Sequence, residues 1–267
     1  MVSTVSLVVM VINMIFGVAL PVFLLLWFKN RYNASIKAFL FGLLTMFVFA
    51  FILESIMHSI VLSTGLGQSI LASTWGYAIY GGFAAGIFEE CGRFITMKFF
   101  LKKEADNPHN ALMYGAGHGG IEMVMLLTMT MFNNLLYSIM INTGHASIIT
   151  SALDDANKAV LEETFNTLIA YPPAKFLIAS WERVSAMAVQ LSLSALVWIA
   201  VTKGVKKIWF LFLAILMHAF LDGMLMPLKA AGLSDVWLEV CVMIVAAVYV
   251  CIAYFTWKKN LAKEETA

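Results

Sequence analysis

Three histidine and carboxylate pairs in this chain stand four residues apart: Glu54 and His58, His118 and Glu122, His218 and Asp222. On an α-helix that spacing puts both side chains on one face, about 6 Å apart along the axis. A further group, Glu89, Glu90 and Arg93 within Phe-Glu-Glu-Cys-Gly-Arg-Phe, sets two carboxylates one turn from a cation. Glu182 and Arg183 form an adjacent pair. Carboxylates and imidazoles in such sets can take a proton from water, hold a metal ion or relay protons. All of them interrupt apolar runs, and a charge at mid-bilayer costs about 2.5–3.5 kcal/mol to insert. They therefore call for a partner, a water-filled cavity or a function, and each spaced pair is expected to face protein rather than lipid.

The runs that must hold these residues define the fold class. Of 267 residues, 61% are hydrophobic and 12% charged, against about 45–50% and about 25% in soluble domains. That composition excludes a soluble globular enzyme. Apolar runs of about 20 or more residues match the hydrocarbon thickness. They predict an all-α, polytopic membrane bundle of about seven transmembrane helices near 5–28, 38–62, 70–100, 111–142, 176–202, 207–229 and 233–257. The first run has no basic flank and no small-residue cleavage signature, so it is expected to stay as helix one. Residues 1–267 read as one integral membrane domain without an internal repeat.

Charge sets the expected orientation. Lys29, Arg31 and Lys37, then Lys98, Lys102 and Lys103, then Lys203, Lys206 and Lys207, then Lys258, Lys259 and Lys263 fall on one side of a seven-helix plan. The other side has Lys158, Lys175 and Lys229. The positive-inside rule then puts the N-terminus outside and the C-terminus in the cytoplasm. An amphipathic segment at about 143–175 is expected outside, with Val160, Leu161, Thr164, Phe165, Leu168 and Ile169 packed on the bundle or lying in the interface. The net charge of +1 and the absence of a basic stripe give no reason for a nucleic-acid partner. Cys91, Cys241 and Cys251 lack CxxC spacing and read as small buried hydrophobes rather than a disulfide framework. Met123, Met125, Met129 and Met131 read as packing rather than soft-metal ligands.

Depth divides the polar residues. Counted from the expected cytoplasmic ends, Glu89, Glu90, His118, Glu122, His218 and Asp222 lie about 8 to 15 residues in, at a shared level. Glu54, His58, Glu182 and Arg183 lie nearer the outer leaflet, as an ion-pair clasp or the far wall of the same cavity. Gly115, Gly117, Gly119 and Gly120 strip side chains from almost two turns around His118, for close helix packing or for a cavity.

Glu-Glu-x-x-Arg at 89–93, His-x-x-x-Glu at 118–122 and His-x-x-x-Asp at 218–222, in this order, resemble the CAAX protease and Abi (CPBP) superfamily. Within it the chain is most similar to the YhfC and PrsW families of intramembrane proteases, and its seven-helix plan also looks like the Aph subunit of gamma-secretase. The resemblance covers residues from about 50 to 225 and implies a protein of the bacterial plasma membrane. It implies Glu89 as the base that activates water, Glu90 and Arg93 as its neighbours, and His118, Glu122, His218 and Asp222 as the rest of the site. Arg93 comes one residue earlier than in the CAAX proteases, and aligning on it exchanges the roles of Glu89 and Glu90. Two histidines and two carboxylates, His118, His218, Glu122 and Asp222, suit zinc, and the same groups polarise water without a metal. The expected function is hydrolysis of a peptide bond in a membrane-associated protein or peptide. The alternatives are a non-catalytic scaffold and a proton-coupled transporter. An enzyme needs the inner residues to converge on one water site, whereas a relay needs them strung across the bilayer.

Overall fold

Polar and turn-forming residues cut the apolar chain where helices are expected to end, and the computed structural model, which describes residues 1–261, breaks at those places. Lys263, placed above in the last basic cluster, lies outside the described residues. Helix α1 spans Thr4–Tyr32. Helix α2 (Ile36–Met46) continues through a π-helical stretch, Phe47–Glu54, into α3 (Ser55–Leu62). The short α4 (Gly65–Leu71) precedes α5 (Thr74–Phe100). Helix α6 (Asn110–Met123) likewise continues through π-helical Val124–Thr128 into α7 (Met129–Thr143). The amphipathic stretch forms α8 (Ala146–Thr150) and α9 (Asp155–Ala170). Helices α10 (Pro173–Thr202), α11 (Trp209–Ala230) and α12 (Asp235–Asn260) complete the chain. No strand occurs among the described residues.

Local chemistry explains the ends. Ser73 caps α5 by accepting from the Gly76 N–H at 3.0 Å, and Pro173 opens α10 where its missing N–H costs nothing. Gly144, with φ of +77°, closes α7 in the left-handed conformation that disfavours side chains.

Six helical stretches are long and apolar enough to cross a bilayer: Thr4–Tyr32, Ile36–Leu62, Asn110–Thr143, Pro173–Thr202, Val205–Ala230 and Asp235–Asn260. Helix α5, at 27 residues, has the length but carries Glu89, Glu90, Arg93 and Lys98. Large apolar side chains such as Ile15, Phe99 and Phe255 are more than 60% exposed, which water would penalise and hydrocarbon accommodates. The chain is an all-helical integral membrane protein.

Its backbone falls into two compact units. The smaller comprises Met1–Leu20 and Met123–Arg183. There Asn142 bonds both backbone groups of Val2, at 2.8 and 2.9 Å, and Asn13 donates to the Phe176 carbonyl and accepts from Ser180. Asp154 caps α9 by accepting from the Asn157 N–H at 3.0 Å, which holds its carboxyl below the usual range. Leu161, Phe165 and Leu168 of α9 are buried as its periodicity predicts, with Phe165 edge-on to Tyr137, whereas Val160 and Ile169 are exposed.

The larger unit comprises Pro21–Glu122 and the chain from Val184 onward. Its helices approach through small residues. A Cβ on Gly82 would sit 2.3 Å from the Ala219 carbonyl oxygen, and one on Gly86 would sit 2.7 Å from that of Ile215. Ala78, Gly82 and Gly86, four residues apart on α5, therefore lie against Gly223, Ala219 and Ile215 on α11, with the two helices antiparallel. The glycines of α6 serve close packing too, because Cβ atoms there would strike Phe39 of α2 from Gly117 and Gln190 and Leu191 of α10 from Gly115.

Candidate functional site

Helix α5 carries Glu89, Glu90 and Arg93 on the face turned toward protein, and all three are buried. Arg93 is fully enclosed and ties α5 to α10. Its Nη1 donates to the Gln190 carbonyl at 3.0 Å and to Ser194 Oγ at 2.7 Å, and Nη2 donates to Gln190 Oε1 at 2.5 Å. Its Nε stands 3.2 Å from Glu90 Oε2 and Nη2 stands 3.6 Å from Glu89 Oε2. A single buried guanidinium thus faces both carboxylates, and its planar fork reaches the polar face of α10 at the same time.

His118 of α6 brings Nε2 to 2.9 Å from Glu89 Oε2 and 3.0 Å from Arg93 Nη2. One ring nitrogen cannot donate to the carboxylate and accept from the guanidinium together. Its Nδ1 is buried without a partner, and an orphaned acceptor costs less than an orphaned N–H, which assigns the hydrogen to Nε2 and the bond to Glu89. His118 then holds Glu89 by one oxygen.

His218 of α11 is oriented from the other side. Its Nδ1–H donates to Glu90 Oε1 at 2.8 Å, which turns Nε2 toward Glu89 Oε1 at 3.8 Å and Asp222 Oδ2 at 3.4 Å. Glu90 is fully enclosed, the Glu89 and His218 side chains are nearly so, and the Asp222 side chain is 41% exposed. The cluster is closed behind Glu90 and open at Asp222. Glu122 joins it through Gln190, whose Nε2 donates to Glu122 Oε2 at 2.7 Å and lies 3.4 Å from Glu89 Oε2.

The six inner residues expected to share a level therefore meet in one network with Arg93. Glu54 and His58 pair as their spacing predicts, with His58 Nε2–H donating to Glu54 Oε1 at 3.1 Å and Nδ1 bonded to the Tyr80 hydroxyl at 2.8 Å. Glu54 is also within electrostatic reach of Glu89, His218 and Asp222. Glu182 and Arg183 pair with each other and belong to the smaller unit. Sequence reasoning missed Gln190, Ser194 and Tyr80. Gln190 and Ser194 also stand four apart inside an apolar span, the same signal in uncharged residues.

Among the described residues, no three His, Cys, Asp or Glu side chains stand ready as a metal-binding group. The chemistry around His218 nevertheless suits one. An imidazole nitrogen facing two carboxylate oxygens, with its other nitrogen fixed by a third carboxylate, has the outer-sphere support of a metal-ligating histidine. The 3.4 Å separation from Asp222 matches the spacing of about 3.3–3.5 Å between ligand atoms in tetrahedral zinc sites, and the 3.8 Å from Glu89 is longer. His118 differs, because its Nε2–H is spent on Glu89 and its Nδ1 is buried with no carboxylate at hydrogen-bond distance.

Residues 16–249, which include every residue of this network, match the family described as YhfC intramembrane metalloprotease. The chain belongs to that family. Over 225 residues it is 35% identical to an uncharacterized membrane protein, YhfC, of Bacillus subtilis (strain 168), covering 83% of this chain and 84% of the relative. No solved structure matches it. The family and the apolar helices together identify an integral protein of a bacterial membrane.

Proposed function

We propose that the chain is an intramembrane endopeptidase that hydrolyses a peptide bond of a membrane protein or peptide by activating water between Glu89, His218 and Asp222. One observation carries the reading: these side chains converge within 4 Å of the His218 Nε2 atom, with Asp222 on the accessible side. A transporter relay would favour groups spaced along the membrane normal, and a scaffold would not need an imidazole held between three carboxylates.

His118 holds Glu89 Oε2, so Glu89 Oε1 stays turned toward His218 and Asp222. Glu89 takes the proton of the attacking water and returns it to the amine nitrogen as the C–N bond breaks. Glu90 fixes the His218 ring, and Arg93 balances the two carboxylates without reaching the open side. His218 Nε2 and Asp222 are the donors that would hold zinc, and Glu89 Oε1 stays free beside them as the base. When bound, zinc supplies Lewis acidity that brings the pKa of water to about 7 and polarises a carbonyl. Gln190 keeps Glu122 and Arg93 in register.

Proteolysis of membrane peptides by the purified protein, with and without a chelator, tests this reading. Glu89→Gln and His218→Ala should each lose at least about 10²-fold in rate while remaining folded. Metal analysis should find zinc in the wild type and less after His218→Ala. Full activity in both variants would overturn the assignment.

A further inference from the structure

Below Arg93 the same two helices, α5 and α10, end around a second feature. Met97 follows Arg93 on α5 by four residues, with Leu101 four further on just past the helix end, and Trp198 follows Gln190 and Ser194 on α10 at the same step. Between the helix ends lies a cavity of about 790 Å³ lined by Lys98, Lys102 and Lys203. Among the described lining residues three are lysines and Asp106 is the one carboxylate. Trp198 also lines it, only 1% exposed, and its indole N–H has no hydrogen-bond partner.

Lysines from two helix ends and a partly apolar wall fit a phosphate with hydrocarbon attached. The cavity also lies at the end of membrane-length helices, where headgroups sit. We infer that this cavity binds the headgroup of an anionic phospholipid, with the phosphate among Lys98, Lys102 and Lys203. The site is separate from Glu89 and His218 and does not depend on protease activity. It would tie together the ends of the two helices that Arg93 joins about 8–12 Å higher.

Titration of the purified full-length protein in detergent with phosphatidylglycerol, phosphatidylcholine and inorganic phosphate, read by native mass spectrometry, tests the inference. Phosphatidylglycerol should be retained at least about tenfold more tightly than phosphatidylcholine, and a basic residue near the phosphate should contribute about fivefold. The combined variant Lys98→Gln, Lys102→Gln, Lys203→Gln should lose about a hundredfold. Lys258→Gln with Lys259→Gln should leave retention unchanged. Lys98→Gln and Lys102→Gln alter exposed side chains and are read singly, so a folding defect in the combined variant does not hide the result. Equal retention of the two lipids, or wild-type retention in the lysine variants, would overturn the site. Inorganic phosphate competing at lipid-like concentrations would overturn the lipid assignment in favour of a free anion.

Discussion

Removing Arg93 would leave Glu89 and Glu90 buried without their shared cation and Gln190 and Ser194 without their donor. Breaking a buried pair by removing one partner costs about 3–5 kcal/mol, whereas Glu90→Gln removes a charge while keeping shape and costs less. Arg93→Ala is therefore expected to lower the melting temperature, or membrane expression, more than Glu89→Gln or Glu90→Gln does. Thermal unfolding of the three variants in one detergent checks it, and an Arg93→Ala protein as stable as the wild type would show that other groups balance the carboxylates. Charged residues in apolar runs were legible as a set because each is too costly to be incidental. Their individual bonds were not, since spacing along one helix says nothing about partners on another: His118 bonds Glu89 of α5, and His218 bonds Glu90 of α5 besides facing Asp222. Gln190 and Ser194 escaped because uncharged polar residues cost less in a span and stand out less.

At the scale of the helix, the site depends on how closely α5 and α11 approach. Gly81, Gly82 and Gly86 look alike in sequence, yet a Cβ on Gly81 meets nothing within 4 Å, whereas one on Gly82 would meet the Ala219 carbonyl oxygen at 2.3 Å. Gly82→Ala should push the helices apart and lower stability by about 1–3 kcal/mol, the usual range for overpacking. Gly81→Ala should be neutral or stabilising by up to about 1 kcal/mol, as expected for a helical glycine facing open space. Melting temperatures of the two variants separate these outcomes, and equal effects would contradict the packing. Helix positions were legible from apolar runs to within a few residues, apart from the division of the third run into α4 and α5. The π-helical stretches were not legible. Phe47–Glu54 sets the Phe49 ring against Gly92, one residue before Arg93, and such a wide turn reflects a tertiary fit that apolar periodicity does not encode.

For the whole molecule, the remaining question is whether α5 crosses the membrane as a seventh span. Three observations in the larger unit bear on it. Helix α5 runs antiparallel along α11, which has the length and apolarity of a span, so the two share a depth. The ends of α5 and α10 line one cavity and therefore lie on one side. Tyr32 at the end of α1 stacks on His109 at 3.9 Å, and His109 lies 5.6 Å from Trp257 near the end of α12, so those ends also share a side. A chain whose first and last long helices end on the same side crosses an odd number of times, which six spans cannot do. With α5 included, the four basic clusters fall together, eleven Lys and Arg among the described residues, against Lys158, Lys175 and Lys229 toward the opposite side. Without it, Lys98, Lys102 and Lys103 would lie across the membrane from Lys29, Arg31 and Lys37. The positive-inside rule makes the basic side cytoplasmic. Tags inserted after Lys103 and after Lys206 should thus be reached only from the cytoplasm, and a tag near Asp155 only from outside. Protection of the Asp155 tag from protease at the outer face would reverse the orientation, and tags after Lys37 and Lys103 on opposite faces would remove α5 from the spans.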